Sequence, residues 1–175
     1  MTEHVALHQM KLTQINIVVR DIATTRARWS PLIGEPLAEY DMPGPDQVPT
    51  TLDGQSVDCS DVRALKYVFG PIDVEALKVG KPLADGVFFL AFWQPGENDT
   101  PWRRHLDAHG EGVMDLEFDA RELESVTELL SRNAYHVGTF PASSYNLFAA
   151  RDVLGVDLNL TVRNTRLDLG RFRQS

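Results

Sequence analysis

The order of predicted secondary-structure elements repeats once along this chain, and the repeat limits the folds that the chain can adopt. Residues 11–19 alternate in polarity and are rich in β-branched side chains, which predicts a strand. A helix is predicted from its cap, Asp21, to about Ile33, with Gly34 as the stop. Three further strands are predicted near residues 36–42, 64–70 and 86–95, and the polar segment 43–61 is predicted as a loop. The order strand–helix–strand–strand–strand then recurs over residues 112–162.

Two copies of such a pattern predict a pair of modules within one domain. A solenoid is excluded because its repeats need more than two copies to bury a continuous core. Two half-sheets can instead pair and curl, so the predicted fold class is α+β, with paired βαβββ modules forming a curled mixed sheet around a cavity. The predicted single domain covers residues 1–175, with module one at about 11–95, a linker helix at about 99–109, module two at about 110–162 and a C-terminal tail at 163–175.

Composition and charge argue against several classes of function. The net charge is −8 and no cluster of lysine or arginine stands out, which disfavours a nucleic-acid partner because phosphate neutralisation needs clustered cations. No apolar run is long enough to cross a membrane, and the N-terminus has no signal-peptide pattern. Cys59 is the only cysteine, so no internal disulfide can form. We therefore expect a cytoplasmic protein with a small-molecule ligand, and exposed sheet edges allow a homodimer.

Three segments, taken in order, carry a resemblance to a known family. They are LTQINIVVRDIATTRARWSPLIGEP, QPGENDTPWRRHLDAHGEGVMDLEF and RDVLGVDLNLTV. They resemble, respectively, the first strand and helix, the run ending in an HGEG turn, and the closing hairpin and last strand of the vicinal oxygen chelate (glyoxalase-like) superfamily. The second segment looks most like the methylmalonyl-CoA epimerase branch. The resemblance covers about Lys11 to Val162 and implies a fold of paired βαβββ modules.

The resemblance also implies a divalent metal held by four side chains, one from each of four strands. Those positions fall on Gln14, Ala91, Asp115 and Asn159, and none of these is the superfamily's usual residue at its position. Transition metals prefer imidazole, thiolate or several carboxylates, whereas this set offers one carboxylate, two amides and a methyl group. We therefore expect no functional metal and no other cofactor.

The alternation of side chains along a strand assigns an inner face and an outer face to the predicted sheet. The outer face is apolar, and the inner face is polar with an aromatic side. A solvated sheet face would also be polar, but amides and carboxylates stand where ligands would bind, which favours a pocket. The predicted substrate-binding residues are Gln14, Asn16, Phe89, Ala91, Trp93, Asn159 and Thr161, with Tyr145 at the rim.

Asp115 and Glu117 are the predicted catalytic pair. They lie on one face of a strand, roughly 6–7 Å apart, and partial burial together with like charge would raise a carboxyl pKa. Such a carboxyl group can transfer protons near neutral pH. Gln14 and Asn159 would donate hydrogen bonds to a substrate oxygen as charge develops on it. The alternative for Asp115 is an ion pair with an arginine such as Arg151.

The sequence thus predicts a metal-independent isomerase, epimerase or lyase that moves a proton next to a carbonyl of a small, largely neutral and partly apolar substrate. One alternative is a protein that binds or sequesters a small molecule without turnover, as resistance proteins of the superfamily do. A second is a metal-dependent glyoxalase or epimerase with an atypical metal site. Coenzyme A thioesters of dicarboxylic acids are disfavoured, because the inner face is acidic and no inward-facing arginine is visible.

Overall fold

The computed structural model describes residues 10–46, 50–52, 55–73, 84–119, 136–140 and 145–161, with residues 136–140, 145 and 146 described by their backbone only. The strands are β1 (Lys11–Val18), β2 (Ala38–Asp41), β3 (Thr51–Leu52), β4 (Gln55–Ser56), β5 (Arg63–Phe69), β6 (Phe88–Gln94), β7 (Gly112–Asp119), β8 (His136–Phe140), β9 (Tyr145–Ala149) and β10 (Asp157–Thr161). The helices are α1 (Ile22–Ile33), α2 (Pro101–His109) and α3 (Arg151–Leu154). The helix predicted after Asp119 and the tail at 163–175 lie outside the described residues.

These strands form one mixed sheet in the order β2-β5-β6-β1-β7-β10-β9-β8-β3-β4. β1 runs parallel to β6, and β7 runs parallel to β10. The two halves of the chain meet where β1 and β7 pair in antiparallel fashion. The predicted α+β class with a mixed sheet is confirmed.

Helix α1 covers the outer face of the first half of the sheet. It begins where Asp21 Oδ1 accepts a hydrogen bond from the backbone N–H of Thr24 at 2.6 Å, and it ends at Gly34, whose φ is 89°. The ring of Trp29 lies 5.2 Å from that of Phe92, and both belong to an outer cluster of apolar side chains. Alternation along the strands leaves the opposite, inner face for a site. Among the described residues, no helix combines the length and apolar character needed to cross a membrane.

Part of the segment predicted as a loop forms the hairpin β3–β4 instead. Residues 50–52 and 55–62, here called the strap, reach the far edge of the sheet, where Thr51 pairs with Thr139 of β8. Its strands are two residues long, too short for alternation to reveal them in the sequence. The buried strap residues Leu52 and Cys59 share a cluster with Trp93 of β6, a strand far away in the strand order. The sheet is therefore curled, and the strap lies over its inner face.

Candidate functional site

A small cavity lies on the inner face, around the junction of β1 and β7. The space open to the centre of a water molecule is about 20 Å³, which accommodates a single water. Residues from β1, β6, β7, β9, β10 and α2 line it: Gln14, Asn16, Trp93, Trp102, Met114, Asp115, Leu147 and Asn159. Five of the residues predicted for the site therefore meet in one place.

The other predicted residues lie around the cavity or away from it. Ala91 is buried opposite Asn16 in the β1–β6 register, and Thr161, which does not line the cavity, donates a hydrogen bond to Glu117. Phe89 packs instead in a separate cluster with Val87. Tyr145 pairs with Thr161 through its backbone, and its side chain lies outside the described residues.

The side chain of Asn16 links Trp93, on the aromatic side of the cavity, to Asp115 through hydrogen bonds. Trp93 Nε1 and Gln14 Nε2 each donate to Asn16 Oδ1 at 2.7 Å, and Asn16 Nδ2 donates to Asp115 Oδ1 at 2.6 Å. An indole N–H can only donate, so the Asn16 atom facing Trp93 must be the amide oxygen. The amide nitrogen is thereby directed at Asp115, and the side chain cannot turn over without losing its bond to Trp93.

Burial is the main reason why the pKa of Asp115 is raised from 3.8 to about 8. The residue is 2% exposed. Hydrogen bonds from Asn16 and Asn159 favour the ionised form and lower the pKa, while the negative charges of Glu117 and Asp157 raise it. Desolvation dominates, so Asp115 is a neutral acid over most of the physiological range and a carboxylate only above it.

Asn159 presents an unsatisfied acceptor next to this acid. The residue is 8% exposed, and its amide hydrogen-bonds to the Asp115 carboxyl group. Its Oδ1 atom is buried and has no hydrogen-bond partner within the described part of the chain. The amide donors of Gln14 and Asn159, predicted to hold a substrate oxygen, are thus engaged with Asn16 and Asp115. Each amide thus has one of its two N–H groups engaged within the protein.

Glu117 is held by two threonine hydroxyls. Thr13 Oγ1 and Thr161 Oγ1 each lie 3.1 Å from Glu117 Oε1, and all three residues are buried. These hydrogen bonds hold the Glu117 carboxyl group in place, two residues along β7 from Asp115. Glu117 does not line the cavity itself, so it acts on Asp115 through charge.

Arg151 has partners other than Asp115. Its Nη2 atom donates to the carbonyl oxygens of Val113 at 2.8 Å and Met114 at 2.6 Å, and its Nε lies 3.8 Å from Asp157 Oδ2. Asp157 also accepts the backbone N–H groups of Ala150 and Arg151 at the start of α3, both at 2.9 Å. The alternative of an Asp115–Arg151 ion pair is therefore wrong, because Arg151 contacts Asp157 and backbone carbonyl groups instead.

Two β-bulges bring side chains to the site that strict alternation does not predict. The β1–β7 register shifts between Leu12 and Gln14 and shifts back between Asn16 and Ile17. The extra residue is Thr13 on β1 and Met114 on β7. Each bulge turns two consecutive side chains inward, because the extra residue breaks the two-residue period. Thr13 and Met114 were missed for this reason, and Trp102 was missed because it reaches the cavity from α2.

The inner face also carries a cation that was not predicted from the sequence. Lys66 of β5 pairs in register with Ala91, which places it on the same face. Its ammonium nitrogen lies 5.5 Å from the centroid of the Trp93 ring and 5.9 Å from that of Tyr40. Inward-facing residues were predicted only for the strands that carry the implied metal positions, and β5 is not one of those strands.

Comparison with solved structures relates this geometry to known proteins. Methylmalonyl-CoA epimerase of Streptomyces coelicolor, in complex with 2-nitronate-propionyl-CoA, is 15% identical, with a TM-score of 0.59 over 89% of this chain and 98% of that chain. A methylmalonyl-CoA epimerase in complex with methylmalonyl-CoA and NH4+ is 15% identical, with a TM-score of 0.60 over 90% and 96%. The epimerase of Mycobacterium tuberculosis is 15% identical, with a TM-score of 0.56 over 89% of each chain.

The chain has the vicinal oxygen chelate fold. The resemblance in the sequence is thereby confirmed for the fold. No protein-family model matches the sequence, and comparison with curated proteins finds no match.

The four metal positions implied by the vicinal oxygen chelate fold do not fit a transition metal here. Gln14 and Asn159 offer amides, Ala91 offers a methyl group, and Asp115 is the sole carboxylate among them. The Asp115 carboxyl already accepts Asn16 Nδ2. Across the described ranges, no three His, Cys, Asp or Glu side chains are grouped so that they could hold a metal ion.

Proposed function

We propose that this protein is a vicinal oxygen chelate enzyme of the isomerase, epimerase or lyase type, which transfers a proton at a carbon next to a carbonyl group without a metal. Asp115 is the group that carries the proton. The observation behind the proposal is its carboxyl group in the cavity wall, where burial raises the pKa to about 8. Glu117 would assist by its charge rather than by contact with the substrate.

The raised pKa suits this chemistry for a simple reason. A carboxylate with a pKa near 4 is a weak base towards a carbon acid, whereas one with a pKa of about 8 accepts a proton far more readily. The same group returns the proton near neutral pH because its acid form is then well populated. Asn16, through the 2.6 Å hydrogen bond, and Asn159 hold the carboxyl group in one position in the cavity wall.

The fold neighbours support the reaction type, and the cavity supports the proposed substrate. Epimerases bound to acyl-CoA ligands share the fold at low identity, and epimerisation next to a carbonyl is a proton transfer of the proposed kind. Glu117 and Asp157 place negative charge close to Asp115 at the cavity. We therefore propose a small, largely neutral substrate, for which side chains around the cavity must move on binding.

Deuterium exchange tests the proposal with simple carbonyl compounds in place of the natural substrate. Small ketones, aldehydes and thioesters with an acidic α-hydrogen are incubated with the protein in D2O, and deuterium uptake is followed by NMR. The wild type should accelerate exchange in at least one class, and Asp115→Asn should lose about 10²–10⁴-fold of that acceleration. Asp107→Asn, the same replacement of an acid by an amide on the surface of α2, is the control. Equal exchange by wild type and Asp115→Asn would remove Asp115 from the mechanism.

A second candidate is binding without turnover. The rings of Trp93 and Trp102 stack at 4.9 Å with 25° between their planes, and Lys66 lies over Trp93, so a flat ligand would bind by displacing one of these partners from the Trp93 ring. Saturable binding of a probe by the wild type, with no exchange above the buffer rate for any class, would favour this candidate.

A further inference from the structure

Two histidines lie side by side at the end of α2. His105 and His109 are four residues apart, so their side chains share one side of the helix. The centroids of their rings are 5.2 Å apart, and the ring planes are inclined at 56°. Neither residue lines the inner-face cavity, and the proposed proton transfer uses neither of them. The pair therefore needs an explanation of its own.

His105 is the buried member of the pair, and it lacks a partner. Its side chain belongs to a residue that is 5% exposed, and its Nδ1 atom is buried without a hydrogen bond in the described part of the chain. A buried polar atom in that state costs free energy, and natural structures nearly always give it a partner. His109 is exposed, so the pair is open to solvent on one side. A partner for the imidazoles can therefore enter from solution.

The separation of the two rings matches that of histidines which share one metal ion. A Zn–N bond of about 2.0–2.1 Å places the ion about 3.2 Å from the centre of an imidazole ring. Two rings that meet the ion at the tetrahedral angle of about 109° then have centres about 5.2 Å apart. The observed 5.2 Å already fits this distance, and rotation about each Cβ–Cγ bond leaves the ring centre almost in place. Two histidines four residues apart on a helix hold zinc in other proteins as well.

The charges around the pair permit a bound cation. The pair lies at the C-terminal end of α2, where the helix dipole presents partial negative charge. Arg151 opposes positive charge at His105, whereas Asp157 favours it. These two side chains form an ion pair with 3.8 Å between Nε and Oδ2, so their charges largely offset each other. The ligand type then decides the ion, and imidazole suits zinc, copper and nickel.

We propose that His105 and His109 form a binding site for a divalent transition-metal ion, Zn²⁺, with water molecules in the remaining coordination positions. The site is separate from the four metal positions implied by the superfamily, which lie on strands of the sheet. It needs only two side chains, and so it agrees with the lack of any group of three potential ligands among the described residues. The ion would link the last turn of α2 to the turn before it, in the helix that carries Trp102 into the cavity wall.

Isothermal titration calorimetry with ZnCl₂ near neutral pH tests the proposal. The wild type should bind one Zn²⁺ with a dissociation constant on the order of 10 µM, and His109→Ala should bind at least about tenfold more weakly. His109 is exposed, so its replacement leaves the buried core unchanged. The matched control is His4→Ala/His8→Ala, which removes the other pair of histidines with this spacing in the sequence and should bind Zn²⁺ like the wild type.

Two further measurements on the same proteins identify the ligands and the consequence of binding. In NMR spectra of the ¹⁵N-labelled wild type, Zn²⁺ should shift the ring nitrogens of both His105 and His109. In urea unfolding, Zn²⁺ should raise the midpoint of the wild type and leave that of His109→Ala unchanged, because an ion that binds only the folded state stabilises it.

Several results would overturn the proposal. They are no stoichiometric binding below about 1 mM Zn²⁺, an affinity that His109→Ala leaves unchanged, loss of binding in His4→Ala/His8→Ala, and ring nitrogens of His105 that do not respond to Zn²⁺. Weak binding spread over several histidines would show an adventitious ion only and would also overturn it. None of these results bears on the proposed proton transfer, because neither histidine lines the cavity.

Discussion

Replacing Asp115 with asparagine should change how the stability of the protein depends on pH. The carboxyl group titrates at about 8 in the folded protein and near 3.8 as an unperturbed group. Between these values the folded protein holds a proton that the unfolded chain has lost, so the free energy of unfolding falls as pH rises. The raised pKa of Asp115 stabilises the folded protein fully below pH 3.8, and this stabilisation is lost as the pH rises to about 8. Within that range the free energy of unfolding falls by roughly 1.4 kcal/mol per pH unit.

The assay is urea unfolding of wild type, Asp115→Asn and Asp107→Asn at several pH values from 5 to 7. The asparagine side chain does not titrate. The stability of Asp115→Asn relative to wild type should therefore increase by about 3 kcal/mol over these two pH units. The difference in unfolding free energy at any one pH also includes the effect of changed hydrogen bonds. The pH dependence of that difference isolates the ionisation of Asp115. Asp107→Asn, on the exposed side of α2, should follow the wild type.

A wild-type curve parallel to that of Asp115→Asn would refute the reasoning. Such a result would mean that Asp115 ionises in the folded protein at its ordinary pKa. Desolvation could then no longer be the dominant influence on the carboxyl group. The proposed proton transfer would lose the observation on which it depends, even with the hydrogen bond to Asn16 intact.

Three further perturbations follow from the same contacts. Glu117→Gln should lower the pKa of Asp115, because it removes a like charge, and ¹³C NMR titration of the carboxyl group would show this. Trp93→Phe keeps an aromatic ring but removes the donor to Asn16 Oδ1, so urea unfolding should show a loss of about 1 kcal/mol. Cys59 is 2% exposed and burial raises its pKa to about 11, so a thiol reagent at pH 8 should modify it only after unfolding in urea.

The fold could be predicted where local chemistry decides the structure. Asp21 and Thr100 cap α1 and α2 through their own side chains, and Gly34 and Gly110 follow the last helical residues at positive φ. Such signals are written in a few adjacent residues. The strap could not be predicted in this way, because its short strands are fixed by pairing with β8, distant in the sequence.

The site could be predicted only as far as alternation holds. Gln14, Asn16 and Asp115 face the cavity as expected, because the register between the two bulges is regular. The hydrogen bonds among them could not be predicted, since which atom of Asn16 faces Trp93 depends on three-dimensional packing. The same limitation made Asn159 look like a donor to the substrate, although the structure leaves its oxygen as the unsatisfied atom.

The two bulges make the alignment of the site residues depend on the number of residues in β1 and in β7. β1 has one extra residue at Thr13 and β7 has one at Met114, so the register is offset only between them. Deleting either residue alone would carry the offset to one end of the β1–β7 contact and misalign the strands there. Deleting both would restore a regular ladder that keeps Asp115 opposite Asn16, because the two extra residues lie on opposite strands and at opposite ends of the offset. Thr13 and Met114 are therefore coupled through register, and neither can be lost without consequence for the other.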